Sequence, residues 1–422
     1  MRLTSSPAPR ALGAVSPSYQ IGLVALLSVN FGIVFFDRNA LSFLMPFVLP
    51  DLGLSNTQVG MLASALSLTW ACAAFGIGLV SDKTGSRKGL LIVATLAFSV
   101  CSFLSGITTS FVTLLMARLL MGAAEGGVMP ISQALVAAEV RPERRGLAMG
   151  VTQNFGSNLL GSFVAPVLLA AFATHAGWRH AFFLAGAPGV VAALLMWRFV
   201  REPAPESRAA VQHDKLTLAG AFAERNVLIC AVLGVLLVSY LVICWAFMPL
   251  YLTQIRGYDS QSAGWLMGTL GISATIGAFL ISGLSDRFGR RPLMIAMPLI
   301  GVILPIGALY YDGSVWGLAA MFFVGWGVNG IFPLLMATVP SESVDPKHQA
   351  TVLGLCMGSG EVLGGVLSPS LAGMAADRIG LTAPLWIMLG LTLLSGLLAC
   401  GLRETAPRLL ARAQFKVAGV QL

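Results

Sequence analysis

A short charged segment that occurs twice constrains this chain more than any other feature. The sequence GLVSDKTGSRK at residues 78–88 has a counterpart, SGLSDRFGRR, at residues 282–291. Asp82 in the first copy and Asp286 in the second are 204 positions apart (286 minus 82), about half of the 422-residue chain. Each copy follows the second long apolar run of its half and precedes the third. A charged loop at equivalent places in two apolar halves indicates an internally duplicated membrane protein.

The apolar runs are long enough and numerous enough to predict a protein that crosses the membrane many times. Hydrophobic residues make up 56% of the chain and charged residues only 10%, and the mean hydropathy is +0.83. A transmembrane helix needs about 20 apolar residues. We therefore predict an all-α membrane protein with twelve transmembrane helices in two pseudo-symmetric six-helix bundles. The predicted spans cover residues 20–43, 56–80, 89–108, 111–135, 146–173, 179–199, 227–253, 262–283, 292–311, 314–337, 349–375 and 381–402.

One long polar stretch divides the chain near its middle. Residues 200–226 are charged and contain two prolines, a composition typical of a linker. The predicted domains are an N-terminal bundle at 1–199, a cytoplasmic linker at 200–226, a C-terminal bundle at 227–402 and a cytoplasmic tail at 403–422. Residues 1–19 lack the apolar core and the cleavage site of a secretory signal peptide.

The net charge of +8 has an uneven distribution along the chain. Most of the 26 Lys and Arg residues fall in the loops on the side of the N-terminus, whereas the opposite loops carry Arg179, Arg256 and Arg378. This is the positive-inside pattern, which predicts a bacterial-type plasma (inner) membrane protein with both termini in the cytoplasm. The basic charge is therefore interpreted as a signal for topology in a lipid bilayer, and no nucleic-acid partner is expected.

Enzymatic chemistry is not indicated by any motif. The six cysteines lie in or at the ends of spans without CxxC spacing, and the four histidines do not cluster. The chain has no GxSxG, HExxH or P-loop sequence, so ATP is not expected to drive it. The sequence predicts no catalytic residues, no cofactor, no metal and no requirement for more than a monomer.

Five ionisable residues lie well inside predicted spans, namely Asp37, Arg38, Arg118, Glu125 and Glu361. Charged groups at this depth cost several kcal/mol unless they have partners or line a water-filled cavity. Asp37 and Arg38 in span 1 lie at a depth similar to that of Arg118 in span 4. Arg118 and Glu125 are seven residues apart, about two helical turns, and therefore share one face. These patterns predict a network of two arginines and two carboxylates with no net charge.

Such a network can couple a proton to an anion. A proton on Asp37 or Glu125 would release an arginine, and the guanidinium group suits bidentate binding of a carboxylate. Substrate and proton then promote each other's binding, which is symport. The alternative interpretation is a static ion-pair network that only fixes helix packing.

Several motifs resemble those of the major facilitator superfamily. The repeated Asp-Lys/Arg-x-Gly-x-Arg loops are similar to its loops after spans 2 and 8. The segment WRHAF at 178–182 resembles its Trp-Arg-x-x-Phe motif at the start of span 6, and Arg118-x-x-x-Gly122-x-x-x-Gly126 resembles its span-4 motif. The resemblance implies alternating access around a cavity lined mainly by spans 1, 4, 7 and 10, with contributions from spans 5, 8 and 11.

A narrower resemblance is to the anion:cation symporter family of that superfamily. The segment DRNALS at 37–42, with Arg118 and Glu125, is similar to the family's pattern. The resemblance implies proton coupling by Asp37 and Glu125 and anion binding by Arg38 and Arg118. Members often carry a Tyr just before the Asp-Arg pair, where this chain has Phe35 and Phe36. This departure favours a substrate that carries fewer hydroxyl groups than a sugar acid.

Further polar residues inside spans are weaker candidates. Glu361, in a Gly-rich segment, has no basic residue in its own half to pair with, and we expect it to be neutral when substrate is bound and to take part in proton coupling. Asn154, Tyr240 and Asn329 are candidates for substrate binding, with interhelical hydrogen bonding or packing as the equally weighted alternative.

The repeated loops have a mechanical interpretation as well. Asp82, Arg87, Asp286 and Arg291 can tie neighbouring helix ends together and so close the cytoplasmic side in the outward-open state. The alternative is that these residues only determine the topology. This alternative explains the presence of the basic residues, but it does not explain why the Asp is repeated.

The sequence thus predicts a secondary active transporter that imports a small organic anion, such as a carboxylate or sugar acid, together with H⁺. An exporter or exchanger of anionic metabolites or drugs is the alternative within transport. An intramembrane enzyme or a non-transporting membrane sensor is the alternative from another class.

Overall fold

The computed structural model describes residues 16–84, 86–203, 223–345, 348–406 and 409, and this part of the chain contains helices and no strand. Ten helical segments are long and apolar enough to cross a membrane. They are α1 Pro17–Leu52, α3 Arg87–Gly106, α4 Phe111–Glu139, α5 Arg144–Ala176, α6 Trp178–Phe199, α7 Arg225–Ile255, α8 Ser260–Phe288, α9 Arg290–Tyr310, α10 Val315–Glu342 and α11 Val352–Ile379. Two further helices are α2 Asn56–Thr84 and α12 Ala383–Ala399.

Much of the predicted linker and tail lies outside the described residues, as do the side chains of Asp82 and Lys83. We call residues 16–203 the N-terminal half and residues 223–409 the C-terminal half. The end at which α2 stops and α3 begins is the basic end, and the end that carries the turn between α1 and α2 is the opposite end.

Local sequence signals place the ends of the helices. Ser16 precedes Pro17, and the Ser16 side chain accepts a hydrogen bond from the backbone of Tyr19 at the start of α1. Ser110 and Thr113 form a reciprocal capping box at the start of α4. The α1 helix ends at Gly53, whose φ of 61° is a left-handed conformation that glycine adopts without strain.

The outer surface of the bundle is apolar. Trp197, Phe279 and Trp316 are exposed to 68%, 70% and 83%, although all three belong to helices with the composition of a membrane span. Apolar side chains at these positions are favourable in hydrocarbon and costly in water. The surface therefore agrees with the hydropathy of the chain.

Three long helices depart from α-helical geometry near mid-depth. Wider π-helical turns occupy Val151–Phe155 and Ser157–Val164 in α5 and Gly360–Leu367 in α11, and a tighter 3₁₀ segment, Gly327–Ile331, lies in α10. Such irregular turns release backbone groups and re-aim side chains, and they are frequent at functional sites.

The two halves make their closest contacts toward the opposite end. Gly60 of α2 lies against the carbonyl group of Pro369 in α11, where an added Cβ atom would overlap it. The Asp377 carboxylate accepts hydrogen bonds from the backbone of Asn56 and Thr57, both at 2.8 Å. Ser64 and Ser370 share a hydrogen bond of 2.8 Å. These contacts hold α2 and α11 together at this end.

Within the N-terminal half, α1 and α5 cross at glycine. The backbone N–H of Gly156 donates to Ser28 Oγ at 3.1 Å, and a Cβ atom at Gly156 would overlap the Ser28 carbonyl oxygen. A Cβ atom at Gly32, one turn further along α1, would lie 2.6 Å from the Gly156 oxygen. Small residues let membrane helices approach this closely.

We predict that Gly156→Ala destabilises the protein, because the new methyl group forces α1 and α5 apart. Overpacking of this kind costs about 1–3 kcal/mol. The measurement is the midpoint of thermal unfolding of purified protein in detergent. Gly150→Ala, in the same helix, is the control, because no atom lies within 4 Å of its added Cβ. Equal midpoints for the two variants would show that the crossing is not tightly packed.

Candidate functional site

A cavity of about 510 Å³ lies between the two halves at mid-depth. Residues of α1, α2, α4 and α5 line it from one side, and residues of α7, α8, α10 and α11 line it from the other. All the interhalf hydrogen bonds found among the described residues join α2 to α11 on the side of the opposite end. Among the described residues, no interhalf hydrogen bond lies on the side of the basic end.

Arg38 projects into this cavity from α1. Its guanidinium carbon lies 5.6 Å from the centre of the Phe35 ring and 5.2 Å from the centre of the Trp70 ring. Within the described part of the chain, no carboxylate lies within 4.0 Å of Arg38 and no acceptor is in hydrogen-bond range. Aromatic faces hold a cation in place without using its N–H donors, so these donors are available to a ligand.

Arg118 reaches the same cavity from α4 and is only 1% exposed. Its Nη2 atom donates to Ser105 Oγ at 3.3 Å, and its guanidinium carbon lies 5.3 Å from the centre of the Phe182 ring. Its Nε and Nη1 atoms are buried and have no hydrogen-bond partner. A buried guanidinium group with unused donors is poised to bind an anion, because leaving them unpaired is costly.

Asp37 is fully buried beside Ser102 of α3. Ser102 Oγ lies 2.6 Å from Asp37 Oδ1 and 2.9 Å from the carbonyl oxygen of Phe182. A hydroxyl group has one hydrogen and cannot donate fully to both oxygens. If Asp37 carries a proton, it donates to Ser102 while Ser102 donates to Phe182, and both contacts are satisfied. The second carboxylate oxygen of Asp37 has no partner.

Glu125 is 1% exposed and ends the first part of α4, just before the break at Gly126 and Gly127. Both of its carboxylate oxygens are buried without a hydrogen-bond partner. The charges of Arg38, Asp37 and Arg118 all act on Glu125 electrostatically. The break in α4 places this acid among the three other charged residues.

The four predicted network residues thus lie together, but not as ion pairs. Among the described residues, the pairs within 4.0 Å join Arg179 to Asp51, Arg256 to Asp312 and Arg290 to both Asp286 and Glu342. The predicted direct pairing of Asp37, Arg38, Arg118 and Glu125 is absent from this conformation. Their burial leaves donors and acceptors that a ligand or a proton can satisfy.

Glu361 faces the cavity from the opposite wall, on the π-helical segment of α11. A Cβ atom on Gly365 would lie 3.6 Å from Glu361 Oε2 and 3.5 Å from Ser67 Oγ of α2. Arg38 also acts on Glu361 electrostatically, so the cation of one half is shared by acids in both halves.

The other polar candidates separate into two groups. Asn154 and Asn329 line the cavity, and their amide groups donate to the carbonyls of Gly150 at 3.2 Å and Trp326 at 3.1 Å. Tyr240 does not line the cavity. It is 1% exposed and packs on Trp326 with ring centres 5.8 Å apart, and its hydroxyl donates to the Gly301 carbonyl at 3.2 Å. The structure thus assigns Tyr240 to the layer behind the wall.

Arg87, which we predicted to be a gating residue, contacts two other elements at the basic end. Its Nη1 atom donates to the Ala134 carbonyl of α4 at 3.2 Å. Its backbone N–H and that of Lys88 donate to Glu202, at 2.6 Å and 3.0 Å, so that Glu202 caps the start of α3.

The second copy of the loop is held in the same way. The backbone N–H groups of Arg290 and Arg291 donate to Glu404 at 2.8 Å and 3.1 Å, and Arg291 Nη2 donates to the Cys400 carbonyl at 2.9 Å. Asp286 pairs with Arg290 at 2.6 Å. The structure therefore ties each loop to the segment that follows the last helix of its own half.

Sequence reasoning pointed to Trp245 as a possible cavity residue, and it missed Glu202, Glu404, Trp70 and Trp326. Both acids follow an arginine just beyond an apolar run, as Arg201-Glu202 and Arg403-Glu404, and this repeat was the available signal. Trp70 and Trp326 carried no signal in a chain whose apolar helices contain many aromatic residues.

Comparisons with known proteins place this arrangement in a family. The sequence profile of the Major Facilitator Superfamily matches residues 27–357 and 228–418. A probable 4-methylmuconolactone transporter of Cupriavidus pinatubonensis is 29% identical over 79% of this chain and 80% of its own. A probable sulfoacetate transporter of Cupriavidus necator is 26% identical over 85% and 87%, and a hexuronate transporter of Bacillus subtilis is 26% identical over 85% and 88%.

One relative is named for a different activity, since the membrane sensor protein UhpC of Escherichia coli is 25% identical over 76% of this chain and 78% of its own. Among solved structures, a bacterial homologue of the human lysosomal transporter Spinster, described as inward-facing and occupied, superposes with a TM-score of 0.73. It is 18% identical and covers 92% of this chain and 96% of its own, which shows a shared fold. The chain belongs to the Major Facilitator Superfamily.

Proposed function

We propose that this protein is a secondary active transporter that imports a small organic anion together with a proton by alternating access. The observation that carries the proposal is that Arg38 and Arg118 face one cavity without a carboxylate partner within 4.0 Å among the described residues. The names of the relatives support an organic anion as the substrate.

The balance of charges near the cavity supports coupled binding of an anion and protons. Arg38, Arg118 and Glu361 line the cavity, whereas Asp37 and Glu125 are buried outside its lining. The two arginines bring two positive charges, and the three acids, when ionised, bring up to three negative charges that act on this region. An incoming carboxylate is repelled while the acids are ionised, and protons on one or more of them relieve the repulsion. Proton and substrate therefore favour each other's binding, which is the free-energy coupling that symport requires.

Ser102 supports Asp37 as a site that holds a proton. Its hydroxyl lies between the Asp37 carboxyl group and the Phe182 carbonyl, and all the contacts are satisfied only when Asp37 is protonated. Loss of the proton turns Asp37 into an acceptor, and Ser102 must then give up one of its two contacts.

We further propose that α2 and α12 also span the bilayer, which makes twelve spans in two six-helix halves at residues 1–199 and 227–402. The basic end would then lie in the cytoplasm with both termini, at the inner membrane, because the basic residues are concentrated there. Since the interhalf hydrogen bonds among the described residues lie toward the opposite end, we infer that this conformation is open to the cytoplasm. Asp82, Arg87, Asp286 and Arg291 would then form and break ties as the halves rock, and the protein would work as a monomer.

A sensor is the second candidate, and the similarity to UhpC favours it. A sensor could use the same cavity to bind an anion without moving it. An exporter or exchanger would use the same residues in a different direction.

Proteoliposomes that contain a pH-sensitive dye test the proposal. We expect internal acidification when a substrate anion is added outside, and none in liposomes without protein, because each imported anion brings protons with it. A panel of sugar acids, hydroxy-dicarboxylates and aromatic carboxylates is added one compound at a time. Binding of an anion to folded protein with neither acidification nor exchange of labelled anion would favour the sensor.

Arg118→Ala is expected to weaken anion binding by about 10- to 150-fold, since charge-assisted hydrogen bonds of this kind are worth about 1.5–3 kcal/mol. Isothermal titration calorimetry on purified protein measures this loss. Arg378→Ala is the matched control, because Arg378 is exposed at the opposite end and does not line the cavity. An Arg118→Ala protein with unchanged affinity would remove Arg118 from the binding site.

Glu125→Gln is expected to uncouple transport from the proton gradient, because the amide keeps the shape of the side chain and cannot ionise. Exchange of labelled anion for unlabelled anion should persist, whereas accumulation driven by a pH gradient should fall to the level of empty liposomes. Glu139→Gln, at the basic end of the same helix and outside the cavity lining, is the control. Accumulation by the Glu125→Gln protein at the normal level would contradict the coupling role.

A further inference from the structure

The two walls of the cavity differ in chemistry. The wall from the N-terminal half carries both arginines and several amide and hydroxyl groups. Among the described residues that line the wall from the C-terminal half, Asn329 and Glu361 are polar and the others are apolar or aromatic. A bound molecule therefore meets cations and hydrogen-bond donors on one side and a largely apolar surface on the other.

The apolar wall is built around a fixed aromatic group. Trp245 of α7 is partly exposed to the cavity, and its ring stands edge-on to Phe43 of α1 at 5.6 Å and 82°. On its other side it stands edge-on to Trp326 of α10 at 5.4 Å and 80°. Tyr240 backs Trp326 and is itself held by its hydrogen bond to Gly301. Packing from several directions leaves the Trp245 ring little freedom to move away from a ligand.

Aromatic rings also flank the cation on the polar wall. Phe35 and Trp70 lie on the guanidinium group of Arg38. If the carboxylate of a substrate binds the N–H groups of Arg38, the rest of the substrate lies near these two rings. A flat apolar substrate gains more contact with the rings than a polyhydroxylated one.

The C-terminal wall has few polar groups, and this limits how many polar groups a substrate can have on the side opposite its carboxylate. The amide of Asn329 already donates to the Trp326 carbonyl, and Glu361 is the one carboxyl group on this wall among the described residues. Substrate hydroxyl groups that face the rest of this wall would meet apolar side chains, with only the indole N–H groups of Trp245 and Trp326 as side-chain donors, so their burial is unfavourable.

We propose that the substrate is a planar aromatic or conjugated monocarboxylate with at most one or two polar groups opposite its carboxylate. This inference rests on the proposed function and narrows it. The carboxylate binds Arg38 and Arg118, and the flat body lies between the ring surface near Arg38 and the Trp245 wall.

Calorimetric titration of the purified full-length protein with benzoate, cyclohexanecarboxylate, glucuronate and benzyl alcohol tests the inference. We expect benzoate to bind at least about tenfold more tightly than glucuronate, because the hydroxyl groups of glucuronate that face the C-terminal wall exchange water for a largely apolar surface. Cyclohexanecarboxylate should fall between the two, and benzyl alcohol, which lacks the charge, should not bind measurably.

Trp245→Leu is expected to weaken benzoate binding about tenfold and to change glucuronate binding less than about twofold, because it removes ring contact and leaves the arginines in place. Trp316→Leu is the matched control, since Trp316 lies in the same half, is 83% exposed and does not line the cavity. Trp245→Phe should restore most of the benzoate affinity, which separates ring contact from a folding defect.

The outcomes separate this inference from the proposed function. Tighter binding of glucuronate than of benzoate, abolished by Arg118→Ala, would overturn the inference and leave anion transport intact. Binding of benzoate that is unaffected by Trp245→Leu would also overturn it. Absence of binding for every carboxylate, with the protein shown to be folded, would contradict both.

Discussion

The rest of this structure depends on charge buried in a medium of low dielectric without direct pairing. Arg118, Asp37 and Glu125 are almost completely buried, and each keeps polar atoms that have no hydrogen-bond partner. In hydrocarbon such an arrangement persists only if neighbouring charges share the cost or a ligand and a proton supply the missing partners. The aromatic rings around Arg38 also lower the cost of a charge without an ion pair, since they stabilise a cation without occupying its N–H donors.

The packing that surrounds these charges leaves a cavity between the two halves, and Arg38 and Arg118 line it. Gly60 against Pro369, together with the Asp377 cap on α2, brings the halves into contact toward the opposite end. The irregular turns of α5, α10 and α11 lie beside the cavity, where they change the direction of Asn154, Asn329 and Glu361. Contact at one end and irregular helix geometry beside the cavity are compatible with the proposed rocking of the two halves about a central site.

The two similar loops at the basic end are held by similar contacts, one in each half. Glu202 caps the start of α3 and Glu404 caps the start of α9, so each repeat closes on its own half. Charge-assisted hydrogen bonds at a helix N-terminus are favourable. Those that Glu202 accepts are exposed to water, which weakens them. Asp286, Arg290 and Glu342 add a second set of ties in the C-terminal half.

The sequence by itself determined the all-helical membrane class of the fold, and it singled out the charged residues from which the proposed site is built. Hydropathy and length predict membrane helices, because hydrocarbon requires continuous apolar helices, and Asp37, Arg118 and Glu125 stand out because charge is rare at that depth. The structure alone decided which groups pair. The predicted ion pairs are absent, Tyr240 stands behind Trp326, and Ser102 is the partner of Asp37. Helical spacing fixes the face a side chain occupies, whereas its contacts depend on how distant helices cross and where they bend, and no local pattern encodes that.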